Sequence, residues 1–326
     1  MNITLTLHGA NPENLYRAFG LDMPDRIIDF STNTNILSWP EISIDLPELA
    51  SRYPDPECTE LRELIAEREH IPPSRILFTN GSNEAVFLLA GLFPDSTAIL
   101  QPAYSEYARA FRKLHNIFSL NEAKKFRHVI IINPNNPAGI YIHLHDVIAS
   151  SPQTVFIIDE AYRDFLLTCT PERLCDFRNV IILRSLTKIY HLSGARIGYV
   201  IAHEDVIAAM RELQPSWSVN AVTQELALCF LRDYAFIERT RAFYCANTPE
   251  FMRMLRASGC DVMKSDVHYF LVRVDDDMKT IEHLLRAGIV VRHTRNFAGL
   301  DGKYIRIAAR TSEDNSLLIS ALRETL

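Results

Sequence analysis

Ser185-Leu186-Thr187-Lys188-Ile189-Tyr190-His191-Leu192-Ser193-Gly194-Ala195-Arg196-Ile197-Gly198-Tyr199 follows the β-branched run Val180-Ile181-Ile182-Leu183. A short apolar run of that composition reads as a strand buried on both faces, as in a parallel sheet. The hydroxyls and the lysine then sit just past a strand's carboxyl end, where open α/β sheets place their ligands. Ser185 and Thr187 flank Lys188 on one side, and Arg196 follows eight positions later. An amine in that company can condense with an aldehyde cofactor, while Ser185, Thr187 and Arg196 neutralise a phosphate dianion. Taken singly, a lysine beside serines is more often a solvated loop residue. Its weight comes from what other strands deliver to the same edge.

Val155-Phe156-Ile157-Ile158 ends in Asp159-Glu160-Ala161-Tyr162, a second apolar strand that brings Asp159 to that edge. A carboxylate there can pair with a protonated pyridine nitrogen and keep the ring an electron sink, although a lone aspartate at a strand end more often caps the next helix. The run His128 to Ile132 leads into Asn133-Pro134-Asn135-Asn136-Pro137-Ala138-Gly139. Its prolines stiffen the backbone, which lets the Asn136 amide be aimed at the cofactor's ring oxygen together with the Tyr162 hydroxyl. Tyr104 follows Ala98-Ile99-Leu100 and Pro102-Ala103 and can lay its ring on a pyridine face.

Ile76-Leu77-Phe78-Thr79 reads as a strand and Ser82 to Phe93 as an apolar helix, with Asn80-Gly81-Ser82-Asn83 between them. A glycine turn that opens a helix leaves backbone N–H groups and the positive end of the dipole for an anion, so Gly81, Ser82 and Asn83 form a second candidate phosphate contact. The same letters also make an ordinary N-cap. Neither a P-loop nor a GxGxxG fingerprint is present, which argues against nucleotide or dinucleotide binding.

Short strands alternating with helices predict an α/β fold: a three-layer, mostly parallel large domain over residues 46–232. A long amphipathic helix begins near Asp233, followed by strands at 268–274, 289–291 and 304–308 and helices at 281–287 and 312–326. These predict a smaller α+β domain over 233–326, which the weakly periodic arm 1–45 is expected to join. Asp275-Asp276-Asp277 is expected to be a solvated turn capping the next helix. His143 and His145 alternate as on one strand face, with no third ligand, so no metal site is predicted.

The 326 residues can bury a large core, and 40 acidic against 34 basic side chains give a net charge of −6. That balance offers no electrostatic footprint for nucleic acid or an anionic membrane and favours a small-molecule ligand. Six scattered cysteines without a CxxC pair suggest reduced thiols and a cytoplasmic protein. The N-terminus lacks a basic region followed by an apolar stretch, and the longest apolar run, Ala85 to Phe93, is too short to span a bilayer.

A phosphate nest, a stacking aromatic, an asparagine, an aspartate and a lysine, in that order and each at its own strand end, resemble the fold type I pyridoxal-phosphate enzymes. Nearly the whole chain is similar to the histidinol-phosphate aminotransferase group and, within it, to the L-threonine-O-3-phosphate decarboxylases of cobalamin synthesis. Asn133 to Gly139 resembles NPNNPTG, with Ala138 for threonine, and Asp159 to Tyr162 matches DEAY. Tyr53-Pro54-Asp55-Pro56 is similar to YPDP, whose tyrosine reaches the phosphate of the neighbouring subunit's cofactor. His8-Gly9-Ala10-Asn11 resembles the decarboxylases' HGGN, Asp29-Phe30-Ser31-Thr32-Asn33 their DFSAN, and Ser185 to Lys188 their SLTK. The runs Val291 to Leu300 and Tyr304 to Thr311 also read more like that branch.

The resemblance implies pyridoxal 5'-phosphate as cofactor, a homodimer with shared sites, and catalytic roles for Lys188, Asp159 and Tyr104. It implies a small phosphorylated amino acid as substrate, with Arg292 on its phosphate, His8, Asn33 and Asn136 nearby, and Arg306 on its carboxylate. The expected reaction is decarboxylation of L-threonine O-3-phosphate; the alternative is transamination of histidinol phosphate or a related amino acid. A non-catalytic binding protein on the same scaffold is the reading from a different class.

Overall fold

The apolar runs are strands and the stretches between them helices in the computed structural model, which describes Leu5, Gly9 and residues 11–325. The strands are β1 (Ile28–Asp29), β2 (Ile76–Thr79), β3 (Thr97–Leu100), β4 (Leu114–Ile117), β5 (His128–Ile132), β6 (Val155–Asp159), β7 (Val180–Ser185), β8 (Gly198–Ile201), β9 (Asp261–Val262), β10 (Tyr269–Arg273), β11 (Ile289–Val290), β12 (Arg292–His293) and β13 (Tyr304–Ala308). The helices are α1 (Pro12–Phe19), α2 (Leu46–Ser51), α3 (Thr59–Glu69), α4 (Gly81–Leu92), α5 (Glu106–Ala110), α6 (His145–Ala149), α7 (Leu186–Ile189), α8 (Glu204–Leu213), α9 (Ala221–Arg232), α10 (Tyr234–Ala257), α11 (Asp277–Arg286) and α12 (Ser312–Arg323).

The large sheet has the order β2-β8-β7-β6-β5-β3-β4. The pairs from β7 through β4 are parallel, and β8 runs antiparallel to both its neighbours. Successive side chains point to opposite faces. Ile130, Ile132, Ile157, Ile181 and Leu183 pack with Leu89, Tyr107 and Met210 from α4, α5 and α8. Their neighbours Val129, Ile131, Phe156, Ile158 and Ile182 pack on the other face with Leu61 and Ile65 of α3 and Phe230 of α9. Burial on both faces is why these strands are continuously apolar rather than alternating. The result is the three-layer α/β architecture that the strand and helix alternation predicts.

A second, antiparallel sheet has the order β12-β13-β10-β9, with α10, α11 and α12 packed about it and on one another. The N-terminal segment is bound into this unit. β1 pairs in parallel with β11, and Phe30 both donates to Val290 O at 2.8 Å and accepts from Ala308 N–H at 3.0 Å.

Three expectations are corrected. The weakly periodic arm is not without regular structure: it holds α1, framed by Pro12 at its first turn and by Gly20 in the left-handed region (φ 64°). The aspartate run is not a solvated turn throughout. Asp276 caps α11 through Met278 and Lys279 N–H, but Asp277 is fully buried and paired with Arg295. His143 and His145 do not share a strand: His143 lies in a loop 3.4 Å from Glu172, and His145 opens α6. No helix among the described residues is long and apolar enough to cross a membrane.

Candidate active site

Parallel strands end at one edge of their sheet, so β2, β3, β5, β6 and β7 all deliver their following residues there. β8, being antiparallel, begins at that edge, which is what brings Arg196 back to it. The register aligns Ile132 with Asp159, Asp159 with Leu183, and both Ser185 and Thr79 with Gly198. Along this edge lies a cavity of about 230 Å³. Lys188, Asp159, Tyr104, Asn136 and Tyr162 line its middle, and Ser82, Asn83, Ser185, Thr187 and Arg196 line one end. Asn33 of the arm and Arg292 and Arg306 of the second sheet close the other side.

Lys188 stands on α7, the single turn that follows β7. Burial pushes its amine down to about 8, helped by the Arg306 and Arg196 charges and opposed by Asp159. Asn35, fully buried, holds this turn in place: its N–H donates to Lys188 O at 2.9 Å and its Nδ2 donates to Ile189 O and Thr240 Oγ1 at 2.9 and 2.7 Å.

Asp159, at the end of β6, is 6% exposed. Burial raises its carboxyl, while the Ala161 N–H, the Tyr107 hydroxyl and Lys188 act in the opposite direction. The Ala161 N–H reaches Oδ1 at 3.0 Å and the Tyr107 hydroxyl reaches Oδ2 at 2.9 Å. Tyr104 stands over the cavity with its hydroxyl pushed up to about 12 by burial and by the charges of Glu106 and Asp159.

At the end where the sequence places a phosphate contact, α4 opens without a side-chain cap from Asn80, and its first residues Ser82 and Asn83 line the cavity. Two glycines make the approach possible. Gly81 has φ 72°, and a Cβ there would lie 2.5 Å from Arg196 Nη2; a Cβ on Gly198 would lie 2.7 Å from both Ser82 N and Arg184 O. Ser185 Oγ and Thr187 Oγ1 are 2.7 Å apart beside them.

Opposite, the three asparagines of the 133–139 loop divide their work. Asn133 bonds Ile142 through both amide atoms, and Asn135 bonds Pro102 O and Ala138 N–H, so these two fix the loop. Asn136 is left to accept from Arg306 Nη1 at 2.6 Å, and Arg306 also donates to Ser31 O at 2.6 Å. Arg292 donates to Asn296 Oδ1 at 2.8 Å and lies over the Phe297 ring. Arg292 and Arg306 occupy paired positions of β12 and β13, both about 95% buried. Burial lowers both guanidiniums, and Arg292 is lowered further by the charge of Arg306. Among the described residues no carboxylate lies within ion-pair distance of Arg306.

Tyr53 is not brought to the cavity: it is 80% exposed, with its ring 4.8 Å from that of Trp217. His8 lies outside the described residues. Gly81 is beneath the cavity rather than in its lining. Tyr107 and Asn35 are not legible as site residues in the sequence: Tyr107 lies three positions after Tyr104, behind the cavity on α5, and Asn35 braces the Lys188 turn without lining the cavity.

The cavity suits a flat ring bearing an aldehyde and a phosphate. It has an amine of reduced basicity, a buried carboxylate in the middle, and an uncapped helix start with two hydroxyls and an arginine at one end. Asn83 Oδ1 and Arg306 Nε are buried in its wall without a hydrogen-bond partner among the described residues, as polar atoms that a ligand could satisfy.

Among known proteins, the chain is 31% identical to threonine-phosphate decarboxylase of Salmonella typhimurium over 351 residues, covering 98% of this chain and 96% of the relative. It is 30% identical to histidinol-phosphate aminotransferase of Caldicellulosiruptor saccharolyticus over 344 residues, covering 95% and 94%. Its fold matches the structure of histidinol-phosphate aminotransferase from Sinorhizobium meliloti in complex with pyridoxal-5'-phosphate, with a TM-score of 0.83 at 21% identity, covering 100% of this chain and 98% of that one. Since the model for "Aminotransferase class I and II" matches residues 40–322, this chain belongs to that family and works with pyridoxal phosphate.

Proposed function

We propose that the chain decarboxylates L-threonine O-3-phosphate to 1-amino-2-propanol phosphate, a step of cobalamin synthesis. The observation that carries this reading is the pair Arg292 and Arg306, two buried guanidiniums side by side on one wall of the cavity that holds Lys188 and Asp159. A substrate with both a phosphate and a carboxylate matches two cations. Histidinol phosphate has no carboxylate.

Bound pyridoxal phosphate supplies the electron sink into which a bond at the substrate's Cα can break. Ser82, Asn83, Ser185, Thr187 and Arg196 hold its phosphate, with Gly81 allowing the close approach. Tyr104 would cover its ring, Asp159 would pair with the ring nitrogen, Asn136 and Tyr162 would serve the ring oxygen, and Lys188 would hold the aldehyde. Arg292 takes the substrate phosphate with Asn33 beside it, and Arg306, braced by Asn136, takes the carboxylate. Two fixed grips would orient the substrate and so decide which of its bonds at Cα is presented for cleavage. Lys188, with an amine near neutrality, returns a proton to Cα. Residues 46–232 form the cofactor-binding domain, and 1–45 with 233–326 the smaller one. In a homodimer the exposed Tyr53 of each copy would reach the other's phosphate site, and His8 is assigned to the substrate by resemblance alone.

The second reading, transamination of histidinol phosphate or a related amino acid, is supported by the aminotransferase relative at nearly equal identity. One assay separates them. Purified enzyme given L-threonine O-3-phosphate is expected to release carbon dioxide without any keto acid; loss of its amine only when a keto acid is added would establish the second reading instead.

A further inference from the structure

Asp159 is a nearly inaccessible carboxylate with no arginine in ion-pair contact among the described residues, so the hydrogen bonds its oxygens accept, with Lys188 behind them, sustain its charge. Each oxygen has its own donor. The Ala161 N–H fixes Oδ1 at 3.0 Å, and the Tyr107 hydroxyl fixes Oδ2 at 2.9 Å. The backbone of the residue is also held, its carbonyl accepting from Asn133 N–H at 2.8 Å. Tyr107 is wholly buried and its ring belongs to the apolar layer under the sheet, with Leu89, Ile130, Ile157 and Phe111. A phenylalanine would fill that space equally well, and the hydroxyl has Asp159 as its sole hydrogen-bond partner among the described residues. The loop leading into α5 thus presents Tyr104 to the cavity, and the first turn of α5 passes Tyr107 behind it to the carboxylate.

We propose that Tyr107 is a positioning residue: it holds Asp159 ionised and turned toward the cofactor's ring nitrogen, and thereby sets how strongly the site prefers a protonated pyridine. This rests on the role given to Asp159 above. Donors on both oxygens fix the rotation of the carboxylate as well as its charge, whereas loss of one leaves a buried oxygen unsatisfied and the group free to turn or to take up a proton.

The test compares two ligands on the full-length, cofactor-stripped protein: pyridoxal phosphate and its analogue with carbon in place of the ring nitrogen. Both carry the same aldehyde and phosphate, so Lys188 and the phosphate cradle contribute equally to each. Tyr107→Phe is expected to weaken binding of pyridoxal phosphate about tenfold, equivalent to 1.4 kcal/mol, and to leave the analogue unchanged. Asp159→Asn should show the same selective loss, and adding Tyr107→Phe to it should cost nothing further. Equal weakening of both ligands by Tyr107→Phe, or full additivity in the double variant, would mean that Tyr107 only packs and would overturn the proposal. If Asp159→Asn binds both ligands as the parent does, the role of Asp159 itself fails. Thermal unfolding of Tyr107→Phe should stay cooperative, with its midpoint lowered only by what one lost buried hydrogen bond costs, which guards against a general folding defect.

Discussion

At the scale of single residues, the chemistry turns on how its surroundings treat the Lys188 amine. A lysine near its usual value of 10.5 is almost fully charged at neutral pH and a poor nucleophile; burial and two flanking arginines bring Lys188 to about 8. The sign of each neighbour can be read separately. Arg306 and Arg196 disfavour the charged amine, so removing either raises its titration midpoint; Asp159 favours it, so removing Asp159 lowers the midpoint further. In the cofactor-free protein, reductive alkylation of Lys188 should therefore rise through about pH 8. The midpoint should move upward in Arg306→Ala and downward in Asp159→Asn. Mass spectrometry of the Lys188 peptide across a pH series checks this, and a parent midpoint near 10 would contradict it.

At the scale of elements, the site depends on how closely α4 approaches β8. Gly198 packs its α-carbon against backbone on two sides, so an added methyl meets Arg184 O and Ser82 N at 2.7 Å and neither can swing away. Gly198→Ala should destabilise the protein by about 1–3 kcal/mol, as overpacking does, and should weaken phosphate-dependent cofactor binding because the start of α4 is pushed back. Denaturant unfolding and a cofactor titration measure the two effects. Elements of this kind were partly legible in advance. Continuous β-branched runs such as Val129 to Ile132 and Val180 to Leu183 signal strands buried on both faces, and the residues after them could be assigned to one edge from that alone. The direction of β8 could not: a doubly buried strand looks the same whether parallel or antiparallel, and only the pairing of Gly198 with both Thr79 and Ser185 reveals it. Helix α1 escaped because eight residues that bury only Leu15 and Tyr16 leave too short a period to recognise. Asn35 and Tyr107 escaped because their work is done on other residues' atoms.

At the scale of the whole molecule, one sheet brings Lys188 and Asp159 to the cavity and the other brings Arg292 and Arg306, so under the proposed roles substrate recognition depends on how firmly the second unit is held. The segment that carries Arg292 and Phe297 to the cavity also carries Arg295, which grips Asp277 at the start of α11. Asp277 is fully buried while the side chain of Arg295 is half exposed, so the aspartate is the fixed post and the arginine the tether. Gly302, with φ 74°, leaves room for the pair, since a Cβ there would lie 3.1 Å from both side chains. Asp277→Ala removes the post but leaves Arg295 able to reach water, which keeps the cost near about 1–2 kcal/mol, the range for a lost hydrogen-bonded charge contact at a partly exposed site. The consequence at the site should be larger for substrate than for cofactor, because the loosened segment bears Arg292 and none of the phosphate cradle around α4. Steady-state kinetics should show KM for a phosphorylated substrate rising several-fold while the dissociation constant of pyridoxal phosphate stays within about twofold of the parent. If the two rise together, the tether braces the whole cavity rather than its substrate wall.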